Sequence, residues 1–360
     1  MTPGSSSGKV RRMRLIKRKD TKTDRGGTAV ANGRHELPGT TEEIFAEIAK
    51  LTQDNKARPS RETERRLLWL RHVAGISLLK PDAPKPDFPA PAADQLPEVP
   101  SGLPEIARED VTPELLRAGI LRDGCLLVRG LVDRDEALRF AGEIDQAFAE
   151  RAKQDAGGSA AEGYYEEFHP DEAFGMAARS WVQEGGGVLA ADAPKLMFEM
   201  LEMFKEAGVA RLVERYLGEE PLLSAHKTTL RKADPQMGGA WHQDGAFMGD
   251  VRALNLWLSL SRCGDEAPGL DIVPRRLDEI VVEYDSMLFV DATRQKAKEA
   301  AGDVAIIRPI FEPGDALFFD EMFLHQTASD PSMPNPRYAI ENWFFGSSGF
   351  PADYAPVAPW

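Results

Sequence analysis

The chain has only two cysteines and no long apolar run, and these absences exclude several classes of protein. Cys125 and Cys263 lack the CxxC spacing of a zinc site and cannot build a disulfide framework, so we expect a reducing, cytoplasmic location. No apolar run of about 18 residues occurs, which argues against a membrane span. The first residues also lack the apolar segment of a secretory signal.

Acidic side chains outnumber basic ones in the chain as a whole, but one short segment is strongly basic. The chain has 44 Lys and Arg against 58 Asp and Glu, a net charge of −14. Residues 9–25 hold nine basic and two acidic side chains, a local +7, so the remainder carries −21 (−14 minus 7). An acidic remainder argues against a nucleic-acid partner. The basic start could imitate a mitochondrial transit peptide, but we favour a solvated, disordered tail.

The composition changes along the chain divide it into four segments. Residues 1–39 are the disordered basic tail, and 40–80 predict a helical hairpin that begins with a capping box at Thr40 and Glu43. Residues 81–104 contain eight prolines and read as an extended linker, and 105–360 form the main domain. The hairpin could dock on the main domain or on a second copy of the chain, which would give a homo-oligomer.

The main domain begins with helices and continues as short strands. Helices are expected from Pro113, over 133–153, over 194–206 and over 208–217. Strands are expected over 125–128, 222–231, 253–260, 270–273, 304–307, 316–319 and 338–345. Short strands that are partly apolar on both faces predict a mainly β fold, a double-stranded β-helix or jelly roll of the cupin type, with flanking helices.

The tripeptide His242-Gln243-Asp244 and the later His325 suggest a metal site. His242 and Asp244 are separated by one residue, so both side chains point to the same face of an extended segment. His325 follows an apolar strand whose end could bring it against the pair. Two imidazoles and one carboxylate form a facial triad, which suits ferrous iron and leaves coordination positions open for a co-substrate and oxygen.

Three further polar residues allow two interpretations each. Arg337 opens an apolar strand, where its planar fork could hold a carboxylate of a co-substrate or form a structural ion pair with Glu341. His226 could face the pocket, although we favour a satisfied core histidine. Lys227, on the opposite face of that strand, is either a second contact for an anion or a solvated side chain.

The order of these motifs resembles the phytanoyl-CoA dioxygenase-like family of Fe(II)/2-oxoglutarate-dependent oxygenases. The resemblance covers about two thirds of the chain and rests on the segments Gly119–Leu121, Val128–Gly130, Trp241–Asp244, Leu256–Leu260, Gly269–Pro274, Gly314–Phe319 and His325–Thr327. It departs from the family at Pro274-Arg275-Arg276-Leu277, where Pro-Gly-Ser-His is usual. Arg275 and Arg276 are also the one basic cluster in the domain that could bind a coenzyme A phosphate.

The resemblance implies an activity and a set of roles. His242, Asp244 and His325 would be the iron ligands, Arg337, Thr327 and Trp257 would bind 2-oxoglutarate, and no further catalytic residue is named. With O2, the enzyme would hydroxylate or desaturate a small organic substrate and release succinate and CO2. The intact aspartate argues against halogenation. The alternatives are a cupin-like lyase or hydrolase that does not use 2-oxoglutarate, and a catalytically silent binding protein.

Overall fold

The computed structural model describes residues 39–100, 102–283 and 290–360, so the predicted basic tail lies almost wholly outside the described residues. The described part opens with helices α1 (Thr41–Ala57) and α2 (Arg61–Leu78). The capping box predicted for α1 is present: Thr40 Oγ1 accepts from the Glu43 amide at 3.2 Å, and Glu43 Oε2 accepts from the Thr40 amide at 2.9 Å. These bonds satisfy two amides that the helix itself leaves unpaired.

The helical hairpin packs on the main domain of the same chain. Arg71 on α2 is buried and donates hydrogen bonds to the carbonyls of Ala358 and Pro359 at 3.0 and 2.7 Å. Nδ1 of His72 lies 2.7 Å from the Pro356 carbonyl oxygen, and Nε2 of the same ring accepts a hydrogen bond from the Asp171 amide at 3.0 Å. Burial lowers the pKa of His72, so it is a neutral side chain held between two backbone groups. Association of two copies through the hairpin stays a prediction.

The remaining helices lie mostly before the strand-rich part of the chain. They are α3 (Pro113–Asp123), α4 (Arg134–Asp155), α5 (Arg179–Glu184), α6 (Pro194–Glu206), α7 (Val209–Leu217), α8 (Gly245–Met248) and α9 (Val290–Ala301). The expected helices α3, α4, α6 and α7 are confirmed, with Thr112 and Asp133 as the N-caps of α3 and α4. Among the described helices, none is long and apolar enough to cross a membrane.

The strands form two sheets within the described residues. They are β1 (Glu105–Ala107), β2 (Cys125–Arg129), β3 (Gly187–Leu189), β4 (Pro221–Ala233), β5 (Ala253–Ser259), β6 (Gly269–Ile272), β7 (Ala316–Phe319), β8 (His325–Ala328), β9 (Arg337–Gly346) and β10 (Pro356–Val357). The large sheet has the order β1-β2-β7-β5-β9-β4-β10, with β3 beside β4, and the small sheet pairs β6 with β8. The predicted strand over 304–307 is wrong, because only a single bridge joins Ile307 to Ile272.

The two faces of the large sheet bury different apolar sets. Leu254, Leu256 and Leu258 of β5 belong to the core that the helices cover. Ala253 and Trp257 belong instead to a core between the sheets, together with Leu270 and Ile272 of the small sheet. We call the surface of the large sheet that faces the small sheet the inner face. Two sheets packed face to face, with helices outside, confirm the predicted jelly roll.

Candidate metal centre

The small sheet and the segment after β4 bring together the three residues that the sequence singles out. His242 and His325 form an antiparallel bridge, with N–O distances of 2.9 Å from the His242 amide and 3.1 Å from the His325 amide. Asp244 lies two residues further on, at the start of the short helix α8. One ligand atom from each of the three side chains lies within 4.8 Å of the other two, a spacing that fits a single metal ion.

The orientation of both imidazoles fits metal binding. His242 Nδ1 lies 2.9 Å from the Ala240 carbonyl, and His325 Nδ1 lies 3.1 Å from the Phe323 carbonyl. A carbonyl accepts only from N–H, so Nδ1 carries the proton and Nε2 keeps its lone pair for a metal. Burial, together with the neighbouring His242, lowers the pKa of His325 to about 4, which leaves this ring neutral at neutral pH. Two imidazole nitrogens and a carboxylate oxygen suit Fe(II).

Gln243, between the two ligands, anchors the metal-binding segment, a role that the sequence did not reveal. Its side chain is fully buried and donates to the carbonyls of Glu279 and Met322 at 3.0 and 2.9 Å. Its Oε1 accepts from the Val281 amide at 2.8 Å. Because neighbouring residues of an extended segment point to opposite sides, the anchored Gln243 directs both ligands towards the other side.

Arg337 is buried without an acidic partner. Among the described residues it forms no ion pair, its Nη1 donates to the Gly269 carbonyl at 3.1 Å, and its Nε has no partner. Its guanidinium lies 5.5 Å from the centre of the Trp257 ring. Burial lowers the pKa of Arg337 to about 10. A buried cation with free hydrogen-bond donors is costly without a partner, so this position is suited to binding an anion.

The alternative of a structural ion pair between Arg337 and Glu341 is wrong. Glu341 pairs with Arg231 on β4, with an Nη2–Oε2 distance of 2.7 Å. Although burial works in the other direction, Arg231 and then Lys227 hold the pKa of Glu341 well below its usual range. Thr327 lies two residues after His325 on β8, so the two side chains share a face.

Two other interpretations from the sequence are now resolved. Lys227 is not solvated, because its side chain is buried and its Nζ lies 3.4 Å from Asp244 Oδ1. His226 stacks on Tyr354 with ring centres 4.3 Å apart, and burial followed by the charge of Lys227 lowers the pKa of His226 to about 4. It is therefore a neutral, packed histidine, but its buried Nδ1 has no hydrogen-bond partner among the described residues, so it is not the fully satisfied core histidine that we favoured.

The basic cluster at the departure from the family motif is engaged elsewhere. Arg276 forms ion pairs with Asp320 and Asp278, and Arg275 donates to the Ala301 carbonyl at 3.2 Å. These contacts bind the loop after β6 to its neighbours. They leave little of either guanidinium for a coenzyme A phosphate.

Comparison with known proteins assigns the chain to a family. The model of the phytanoyl-CoA dioxygenase family matches residues 120–333. The chain belongs to this family. The matched range includes His242, Asp244, His325 and Thr327 and ends just before Arg337. Membership confirms the resemblance and shows an oxygenase-type enzyme.

Solved structures that resemble the chain include EctD from S. alaskensis with 2-oxoglutarate and 5-hydroxyectoine, which is 16% identical with a TM-score of 0.46 over 76% of this chain and 88% of that one. The carbocyclase SnoK from nogalamycin biosynthesis is 15% identical with a TM-score of 0.42 over 66% and 85%. The epimerase SnoN in complex with Fe3+, alpha ketoglutarate and nogalamycin RO is 18% identical with a TM-score of 0.39 over 65% and 83%. Likenesses of this size do not indicate what this chain binds. No curated protein sequence matches it.

Proposed function

We propose that this chain is a dioxygenase that uses Fe(II) and 2-oxoglutarate to hydroxylate or desaturate a small organic molecule, with release of succinate and CO2. The observation that carries the proposal is the presence of two features along the small sheet, one at the end where His325 pairs with Ile272 and the other at Gly269 at the opposite end. One is a triad of His242, Asp244 and His325 with ligand atoms within 4.8 Å of one another. The other is Arg337, buried without an acidic partner among the described residues.

The three ligands would hold the iron, which supplies, with 2-oxoglutarate and O2, the oxidising power of the reaction. The carbonyl bonds at Nδ1 hold the N–H of both imidazoles away from the metal position, so the neutral rings of His242 and His325 would offer Nε2 to the metal. Asp244 provides a negative charge. The anchored Gln243 keeps the two ligands of its segment in position when the metal leaves or returns.

Arg337 and Thr327 would bind the distal carboxylate of 2-oxoglutarate. The free donors of Arg337 fit the two oxygens of a carboxylate, and the Thr327 hydroxyl is a donor on the same strand as His325. Trp257 would form the wall beside the chain of the co-substrate, since its ring already packs against the Arg337 guanidinium. The apolar core around these residues excludes water, which strengthens each electrostatic contact.

Metal content and co-substrate binding test this proposal separately. After reconstitution with Fe(II) without oxygen, we expect wild-type protein to retain iron and to bind 2-oxoglutarate, and His325→Ala to retain little of either. Asp271→Asn is the matched control, because Asp271 lies on β6 but pairs with Arg308. In air, wild-type protein should convert 2-oxoglutarate to succinate. Iron-loaded protein that does not bind 2-oxoglutarate would contradict the proposal and favour a metal enzyme of another kind.

A further inference from the structure

A row of four inner-face side chains crosses the large sheet beside the metal ligands. Trp343 on β9 pairs with Asn255 on β5, and Asn255 pairs with Phe319 on β7. Lys227 completes the row, because it lies in the irregular part of β4 opposite Trp343. We call these four residues the inner row. Its position makes it a candidate wall of the substrate site.

Both ends of the inner row contact metal ligands. At one end, Lys227 Nζ lies 3.4 Å from Asp244 Oδ1. At the other end, the Phe319 ring lies 5.1 Å from the His325 ring, measured between centres. The two residues in the middle, Trp343 and Asn255, therefore lie next to the place where the metal would bind.

The two middle residues carry polar atoms without partners. Asn255 and Trp343 are both 0% exposed, and within the described residues neither the two amide atoms of Asn255 nor Trp343 Nε1 has a hydrogen-bond partner. Each such atom costs about 1–3 kcal/mol, so most buried polar atoms in proteins are paired. Three unpaired polar atoms beside the candidate metal site indicate that the side chains of Asn255 and Trp343 bind a ligand.

The strand register separates the inner row from Arg337. Arg337, the proposed anchor of 2-oxoglutarate, is the first residue of β9. Further along the strand come Glu341, which lies opposite Trp257 of β5 in the strand register, and then Trp343. At about 3.4 Å per residue, Trp343 is roughly 20 Å along the strand from Arg337. On the proposed function the co-substrate would bind between Arg337 and the metal, which would leave the inner row for the substrate.

Lys227 pairs with Asp244 in the structure, but on the proposed function the charge of Asp244 is matched by iron, which leaves Lys227 without a counter-ion of its own. Arg231 is paired with Glu341. On the proposed function, the distal carboxylate of 2-oxoglutarate neutralises Arg337, while Asp244 and the other carboxylate match the two charges of Fe(II). Lys227 then keeps one positive charge, buried and 3.9 Å from the centre of the Phe247 ring. A buried ammonium group is costly unless an anion pairs with it.

Aromatic side chains line the site around this charge. The Phe345 ring packs against Phe350 at 5.2 Å and against Tyr354 at 6.3 Å between centres. With Phe247 they form apolar walls beyond the inner row, suited to a hydrocarbon or aromatic body. Polar recognition is thus concentrated at Lys227, Asn255 and Trp343.

We propose that the substrate is a small organic acid, a carboxylate or a phosphate monoester, whose anionic group binds Lys227. Asn255 and Trp343 bind a neighbouring polar group, and the aromatic walls hold the apolar body. This inference rests on the proposed function, because the charge count includes iron and 2-oxoglutarate.

Binding of simple probes tests the charge preference. Protein is loaded with Mn(II) and saturating 2-oxoglutarate without oxygen, so that Arg337 is occupied and no turnover takes place. Calorimetry then compares phenylacetate with phenylacetamide, and phenyl phosphate with benzyl alcohol. We expect at least one acid to bind at least tenfold more tightly than its neutral counterpart, since a hydrogen bond to a charged group contributes about 1.5–3 kcal/mol. The pair that shows the preference distinguishes a carboxylate from a phosphate.

Substitutions test the residues. Lys227→Met should weaken the binding of the acid at least tenfold more than it weakens the binding of 2-oxoglutarate to the same Mn(II)-loaded protein. Lys232→Met is the matched control, because Lys232 lies on the same strand but pairs with Asp145. Asn255→Leu should also weaken the acid, while the free protein melts no lower than wild type, since the change removes two unpaired atoms.

The outcomes separate the two proposals. If the Mn(II)-loaded wild-type protein does not bind 2-oxoglutarate, the proposed function is overturned. If 2-oxoglutarate binds but neither acid is preferred, or if Lys227→Met binds the acid as wild type does, the proposed function stands and the anionic substrate is refuted.

Discussion

Replacing Arg337 by methionine should change two equilibria in opposite directions. Arg337 is 4% exposed, has no ion pair among the described residues and leaves its Nε unpaired. In the protein without co-substrate this unpaired buried charge destabilises the folded state, so its removal should raise the free energy of unfolding. In the complex with 2-oxoglutarate the same charge is the proposed partner of a carboxylate, so its removal should weaken binding. A purely structural arginine would not give both effects.

The magnitudes follow from the surroundings of the side chain. Burial lowers the pKa of Arg337 to about 10 from an ordinary value of 12.5, and each pKa unit is worth about 1.4 kcal/mol. The charged form is therefore penalised by about 3 kcal/mol, and loss of the bond to Gly269 offsets about 1 kcal/mol of the gain. We expect Arg337→Met to raise the free energy of unfolding by about 1–2 kcal/mol. Loss of a buried charge pair should weaken the binding of 2-oxoglutarate by at least about 2 kcal/mol, which is roughly thirtyfold in Kd.

Urea denaturation of the metal-free protein and calorimetric titration of 2-oxoglutarate into Mn(II)-loaded protein measure the two effects. Arg231→Met is the matched control, because Arg231 also lies on the large sheet but is paired with Glu341. It should lower stability by about 2 kcal/mol, since it leaves a largely buried carboxylate unpaired. A marked loss of stability in Arg337→Met, or 2-oxoglutarate affinity within threefold of wild type, would refute the reasoning.

Three further predictions concern the fold. Burial, and then the charge of Glu162, raises the pKa of Glu64 to about 7, so this group should contribute a fall of about 3 kcal/mol in the unfolding free energy between pH 4.5 and 7. Urea titrations at several pH values should show that Glu64→Gln makes the fall smaller by about this amount. Gly314 has φ 94°, and a Cβ there would lie 2.1 Å from the Val132 carbonyl oxygen, so Gly314→Ala should lower the free energy of unfolding by more than about 3 kcal/mol in urea denaturation. The control Gly130→Ala should lower it by about 1 kcal/mol, because φ is 59° there and no atom lies within 4 Å of the added Cβ. Thr40→Ala should cost about 1 kcal/mol of α1 stability in hydrogen exchange, and equal exchange in Thr40→Ala and the control Thr41→Ala would contradict the capping role.

Local signals predicted most elements well. Capping residues and apolar periodicity identified α1, α3 and α4, because those features act within one or two turns of helix. Short strands such as β3 and β10 were missed, since two or three residues carry no period and exist only through pairing with β4. The expected strand over 304–307 failed for the same reason, because only Ile307 finds a partner strand.

The sequence by itself predicted the three residues of the candidate metal site. The one-residue spacing sets the direction of His242 and Asp244, and the apolar strand that ends before His325 suggested that this side chain meets the pair, so residue type and local geometry were enough to predict the set. It could not decide between the two interpretations of Arg337, because the choice depends on whether Glu341 already has a partner on another strand. Tertiary structure supplies that partner as Arg231.

Only the tertiary structure placed Lys227 and Asn255. Simple alternation put Lys227 on the face opposite His226 and left its surroundings open, but the irregular pairing of β4 between Leu223 and Thr228 breaks the two-residue period and brings Lys227 to Asp244. Asn255 lies in a strand that is buried on both faces, so no pattern in the sequence indicates which side faces the metal. Side-chain direction in a sheet follows from the pairing of strands that are distant in the chain, and that pairing exists only in the folded protein.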